Sequence, residues 1–136
     1  MTKQVLLCDD EIAILKAAEF KLQSAGLEVR TAHNGEEAWR EIERSQPDLV
    51  VTDLQMPQLD GFSLCRRIRE NAATAHLPVI MLTAKGYELS AESTEKYGIA
   101  RLMVKPFSPR ELLRTVEQLL AERESAICRP GPAAVI

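Results

Sequence analysis

Five short apolar runs rich in β-branched residues alternate with five longer amphipathic segments. That alternation restricts the chain to βαβ units around a parallel sheet. The runs are Gln4–Cys8, Glu28–Ala32, Leu49–Asp53, Val79–Thr83 and Arg101–Val104. The third is the most apolar and belongs at the centre, where helices cover both faces of a strand. The first helical segment carries Ile12, Leu15, Ala18 and Leu22 on one stripe and stops at Gly26. The second follows the turn Asn34-Gly35, points Ala38, Trp39 and Ile42 inward and ends by Pro47. A loop of turn formers, Leu54 to Gly61, leads into a third helix with Phe62, Leu64, Cys65 and Ile68 inward. The segment Gly86–Tyr97 is polar and Ser-rich, so it is expected to be the weakest and most mobile helix. The fifth helix is expected from about Pro109 to Glu124, with Ser108 as N-cap, Glu111 at the capping-box position, and Leu112, Leu113, Val116, Leu119 and Leu120 as its apolar set.

A chain of 136 residues has room for one domain with a respectable core. We place that domain at residues 1–125. Residues 126–136, which include Pro130, Gly131 and Pro132, are expected to form a flexible tail. A net charge of −3 and the lack of a long basic run argue against direct binding to nucleic acid. Cys8, Cys65 and Cys128 form no CxxC pair and read as free thiols in a reducing compartment. The start of the chain lacks a signal peptide's apolar segment and no stretch is long enough to cross a bilayer, so a cytoplasmic location without membrane insertion is expected.

Three of the runs end at chemically useful residues: Asp9-Asp10, Thr52-Asp53 and Lys105-Pro106. In a parallel sheet those ends converge on the edge where open α/β proteins bind ligands. Asp9-Asp10 alone equally suits the capping of the next helix. Adding Asp53 at the same edge creates like-charge repulsion that a bound cation relieves. Oxygen-only ligands favour Mg²⁺, with Mn²⁺ able to substitute. Thr83 by itself is an ordinary strand former. Lys105 is harder to read as a solvated surface lysine, because it ends a strand directly before a proline.

The remaining residues fall at the spacing of a known family. Thr83 stands thirty positions after Asp53 in VIMLTA, Lys105 stands fifty-two after it in Lys-Pro-Phe, and TDLQMPQLDGF holds Met56-Pro57 and Asp60-Gly61. With the acidic pair, these motifs cover residues 4–124 and resemble the response-regulator receiver domain of two-component signalling, of the single-domain chemotaxis-regulator kind. The resemblance implies a doubly wound (βα)5 fold with the flavodoxin-like strand order 2-1-3-4-5. It implies Asp53 as phosphoacceptor, Asp10 as a direct Mg²⁺ ligand, Asp9 acting on the metal mainly through water, and the Gln55 carbonyl as the further protein ligand. Lys105, with a cis Lys105-Pro106 bond turning it over the pocket, is implied to offset charge on the transferring oxygens. Thr83 is implied to donate to a phosphoryl oxygen once Asp53 is modified, drawing its loop inward. Gln55 and Lys85 occupy positions that tune phosphate lifetime in similar proteins. One departure is Leu102, where the family usually has the Tyr or Phe whose ring moves with the threonine. Trp39 is expected to pack its helix on the sheet, away from Asp53.

By the same resemblance the phosphoryl donor is a sensor histidine kinase or a histidine phosphotransfer protein. The chain catalyses only its own phosphorylation and dephosphorylation. With no output segment after the fifth helix, it is expected to act in trans on a downstream target protein, through a face of the fourth helix, fifth strand and fifth helix rimmed by Arg101, Arg110, Arg114 and Glu117, or as a homodimer. Three other readings compete. A Mg²⁺-dependent phosphohydrolase with an aspartyl-phosphate intermediate would want an acid/base Asp two residues after Asp53, where Gln55 stands, and a cap domain. A flavin carrier would want a phosphate-cradling loop after the first strand, not two aspartates. A degenerate receiver that only binds proteins would not need the intact acidic set and Lys105.

Overall fold

Each apolar run forms the strand expected of it. The computed structural model describes residues 2–56, 58–84 and 95–128, with side chains to residue 123. The strands are β1 (Gln4–Cys8), β2 (Glu28–Ala32), β3 (Leu49–Asp53), β4 (Val79–Thr83) and β5 (Arg101–Val104). They build one parallel sheet in the order β2-β1-β3-β4-β5, the flavodoxin-like arrangement. β3 and β4 are buried along their whole length. The order reverses between β1 and β3, so a crevice opens at their carboxyl ends.

Strand alternation divides the core in two. Leu6, Val50, Val79 and Met81 meet Ala38, Trp39 and Ile42 of α2 (Gly35–Arg44) and Leu64, Cys65 and Ile68 of α3 (Gly61–Glu70). Val5, Leu7, Leu49, Val51, Ile80 and Leu82 meet Leu15, Ala18 and Leu22 of α1 (Ile12–Ser24) and Leu112, Val116, Leu119 and Leu120 of the C-terminal helix (Pro109–Cys128). Asn34 caps α2 by accepting from the Glu37 amide at 2.8 Å. Ser108 and Glu111 form the expected reciprocal capping box, at 3.1 and 3.2 Å.

Two expectations are corrected. Ile12 is not part of the α1 core stripe and is 56% exposed. It lies roughly 90° around the helix from the centre of the Leu15–Ala18–Leu22 stripe. The C-terminal helix continues past Glu124 to Cys128, taking in residues 126–128 that the sequence pattern assigns to the tail. Most of the weak segment Gly86–Tyr97, and residues 129–136, lie outside the described residues. Phe62 and Leu113, expected inward, are only half-buried, and Phe62 packs against Tyr97 with ring centroids 5.0 Å apart. Among the described residues no helix is long and apolar enough to cross a membrane.

Candidate functional site

Three strand ends and two loops bring the site together. Asp9 follows β1, its amide donating to Ala32 of β2 at 3.1 Å and its Oδ1 accepting from the Glu11 amide at 2.9 Å. Asp53 ends β3, and the backbone beyond it is tied down by Leu54 N donating to Leu82 O and Gly61 N donating to Leu54 O, both 2.8 Å. Gly61 permits this closeness, because a Cβ there would sit 2.6 Å from the Asp53 carbonyl oxygen and 2.9 Å from Leu54 Cα. Gln58 adopts left-handed backbone with φ 69°, and Asp60 caps α3 by accepting from Ser63 N at 2.8 Å. Lys105 N donates to Thr83 O at 2.7 Å, coupling the ends of β4 and β5, and the Lys105-Pro106 bond is cis.

The side chains converge as the sequence pattern requires. Asp9, Asp10 and Asp53 each offer a carboxylate oxygen within 4.8 Å of the others. Lys105 Nζ lies 3.0 Å from Asp9 Oδ2, 3.1 Å from Asp53 Oδ2 and 3.1 Å from Glu11 Oε1. Asp9 is buried, Asp53 is only 6% exposed, and Asp10 is exposed at the rim. Burial pushes the Asp9 carboxyl above its ordinary value, against the lowering effect of the Glu11 amide and of Lys105. Burial works to lower the Lys105 ammonium, but bonds and charge from Asp9, Glu11 and Asp53 together hold it above the usual lysine range.

Two buried polar atoms have no hydrogen-bond partner among the described residues, Asp9 Oδ2 and Thr83 Oγ1. Asp9 Oδ2 lies 3.0 Å from Lys105 Nζ as an ion pair that lacks hydrogen-bond geometry. Buried polar atoms are normally satisfied, so such exceptions mark groups held for something else. An orphaned carboxylate oxygen within a set of three acidic side chains fits a hard divalent cation that takes oxygen ligands.

The other sequence candidates are placed as follows. Gln55 stands two residues past Asp53 with its side chain exposed. Lys85 lies outside the described residues. Leu102 is partly exposed on β5 beside exposed Val104. Arg101 pairs with Glu122 at 2.8 Å, while Arg110, Arg114 and Glu117 are exposed on the C-terminal helix. Trp39 is buried in the α2 core with the Arg67 guanidinium 5.8 Å from its ring centroid. Cys8 and Cys65 are buried free thiols. The residue that sequence reasoning misses is Glu11. Its signal is the third acid in Asp9-Asp10-Glu11, but its partner Lys105 is 94 positions away.

Residues 5–117 match the model of the response regulator receiver domain. The chain is 38% identical over 131 residues to the alkaline phosphatase synthesis transcriptional regulatory protein PhoP of Bacillus subtilis, covering 96% of this chain and 53% of that protein. It is 40% identical over 117 residues to the transcriptional regulatory protein ResD of the same organism, covering 86% of this chain and 48% of that one. The chain thus spans about half the length of these curated relatives. Among solved structures it is similar to a putative response regulator from Chloroflexus aurantiacus, with TM-score 0.82, 36% identity and 89% and 99% of the two chains covered. It is also similar to the chemotaxis response regulator CheY4 of Vibrio cholerae, with TM-score 0.81, 31% identity and 88% and 99% covered.

Proposed function

Because the chain belongs to the response regulator receiver domain family, we propose that Asp53 accepts a phosphoryl group from a sensor histidine kinase or a histidine phosphotransfer protein, in a Mg²⁺-dependent reaction. The chemistry of such a domain is modification of its own aspartate, not turnover of an external substrate. The observation that carries the assignment is Lys105 Nζ bonded to Asp53 Oδ2 at 3.1 Å while the buried Thr83 hydroxyl has no partner among the described residues.

In this reading Asp53 Oδ attacks phosphorus as the donor's nitrogen–phosphorus bond breaks, and the electron pair stays with the donor imidazole. Lys105 offsets charge on the transferring oxygens. Thr83 Oγ1 donates to a phosphoryl oxygen and so finds the partner it lacks. Asp9, Asp10, Asp53 and the Gln55 carbonyl would hold Mg²⁺, which when bound supplies charge neutralisation at the phosphoryl oxygens. Asp9, with its Oδ1 fixed by the Glu11 amide, acts mainly through water and orients the cluster.

Residues 1–125 act as the receiver unit, in the cytoplasm. The altered face around β5 and the C-terminal helix engages a target protein in trans or a second copy of the chain, with Leu102 in place of a switching aromatic ring. The polar rim of that face is Arg110, Arg114 and Glu117, since Arg101 is already paired with Glu122. Gln55 screens the phosphoryl group from water.

Intact mass after incubation with acetyl phosphate tests the assignment. A single phosphoryl increment is expected on wild type in Mg²⁺, none in chelator and none on Asp53→Asn. A folded Asp53→Asn protein that gained the same increment at the same rate would overturn Asp53 as acceptor. Wild type that failed to gain mass from acetyl phosphate and also failed to bind beryllofluoride would leave a protein-binding module without phosphoryl chemistry.

A further inference from the structure

The Lys105 ammonium has three N–H groups and three carboxylate oxygens around it, on Asp9, Asp53 and Glu11, at 3.0 to 3.1 Å. Two of those N–H groups are bonded, to Asp53 Oδ2 and Glu11 Oε1, and Asp9 Oδ2 draws on the charge of the same ammonium, so for Lys105 to turn fully to an incoming phosphoryl oxygen one of the three must let go. Asp9 is buried, where solvent cannot readily take the place of Lys105. Asp53 is the acceptor and remains beside the ammonium. The Glu11 side chain is 60% exposed, so water replaces Lys105 there at little cost. Glu11 stands with Lys105 on the wall of an open groove of about 470 Å³ whose lining includes Ile14, Ala17, Pro106 and Phe107.

We propose that Glu11 is a positioning residue for phosphoryl acceptance, holding the Lys105 ammonium in the unmodified protein and releasing it as the phosphoryl group arrives; this rests on the reading of Asp53 given above. The carboxylate thereby slows acceptance, and its removal frees a donor that the transition state uses. Because the Glu11 backbone amide, not its side chain, bonds Asp9, substitution at the side chain leaves the Asp9 geometry in place.

The test separates holding from simple charge repulsion at the groove mouth. Rates of phosphoryl gain from acetyl phosphate in Mg²⁺ are followed by intact mass for wild type, Glu11→Gln and Glu11→Asp, each also combined with Lys105→Met. Aspartate keeps the negative charge but is one methylene too short to keep the contact. Both Glu11 variants are expected to gain the group about threefold to fivefold faster than wild type, the size expected for one exposed ion pair. Neither is expected to change the rate in the Lys105→Met background. Glu11→Asp behaving as wild type, or Glu11→Gln still accelerating without Lys105, would overturn the proposal and leave Glu11 as a repelling charge. No phosphoryl gain by wild type or by either Glu11 variant, together with failure to bind beryllofluoride, would instead overturn the Asp53 reading, and this inference with it.

Discussion

Two partly buried cations in this molecule are handled in opposite ways. Lys105 is surrounded by carboxylates, groups whose charge a proton, a metal ion or, at Asp53, a phosphoryl group can change. Arg69, on the last turn of α3, is surrounded by backbone carbonyls: Nε donates to Tyr97 O at 3.2 Å, Nη1 to Ala75 O at 2.9 Å and Leu77 O at 2.7 Å, and Nη2 to Gly98 O at 2.7 Å. Among the described residues it has no carboxylate partner. Burial lowers the Arg69 pKa from its ordinary value, yet a guanidinium stays charged throughout the working range. Four fixed dipoles therefore hold one fixed charge, tying the α3–β4 loop to the segment entering β5. Gly98 completes the latch, with φ 63° and no room for a Cβ, which would meet Arg69 Nε at 2.5 Å. A cation that maintains architecture is matched to groups that cannot change, and a cation that serves a switch is matched to groups that can.

The largest effect should come from Arg69→Met, which leaves four carbonyls without their donor. We expect a loss of about 3 kcal/mol or more in urea unfolding, equal in Mg²⁺ and in chelator. Recovery of that loss by Mg²⁺ would break the contrast. Lys105→Met is expected to cost about 2 kcal/mol in chelator, because it leaves Asp9 and Asp53 facing each other uncompensated. Saturating Mg²⁺ should return most of that loss, since a metal ion neutralises the same carboxylates.

A smaller effect of opposite sign is expected from Asp10→Asn. Relieving repulsion should stabilise the metal-free protein by about 1 kcal/mol while erasing the upward shift of the melting temperature with Mg²⁺. Coincident wild-type melts with and without Mg²⁺ would remove the metal site from the comparison altogether.

The smallest effect concerns two buried thiols, Cys8 next to Asp9 and Cys65 near Arg69. Burial pushes Cys8 up to about 12 and Cys65 up to about 12, although Asp9 and Asp53 act with burial at Cys8 and Arg69 acts against it at Cys65. The folded values are raised, so the thiols' contribution to stability is fully present below the unfolded value of roughly 8.5 and is lost as pH climbs toward the folded value. At pH 8 both are therefore expected to resist iodoacetamide equally, read by peptide mapping at the two sites. Faster labelling of Cys65 than of Cys8 would mean that the neighbouring charge, not burial, governs these thiols.

Much of this architecture is legible in the amino-acid sequence. All five strands begin and end where the apolar runs do, most plainly β3 and β4, because parallel strands covered on both faces leave continuous apolar signatures. Asp9, Asp10, Asp53, Thr83 and Lys105 gather at one edge on the same grounds. Periodicity misplaces Ile12 because it counts apolar residues without locating the centre of the stripe they form. The helix end at Cys128 escapes it because no glycine or proline interrupts the residues from Glu124 to Cys128. The pairings of Glu11 and Arg69 are not legible. Their long side chains choose partners 94 and up to 29 positions away, and no local pattern records that choice.

The sequence by itself determined the strand order's raw material, the two apolar faces and the convergence of acidic strand ends, since those follow from the period of burial along the chain. Only the tertiary structure decided which cation meets carboxylates and which meets carbonyls, and that Thr83 Oγ1 and Asp9 Oδ2 have no hydrogen-bond partner among the described residues. Hydrogen bonding and charge pairing depend on a few ångströms between segments distant in sequence, a scale that hydrophobic patterning does not encode.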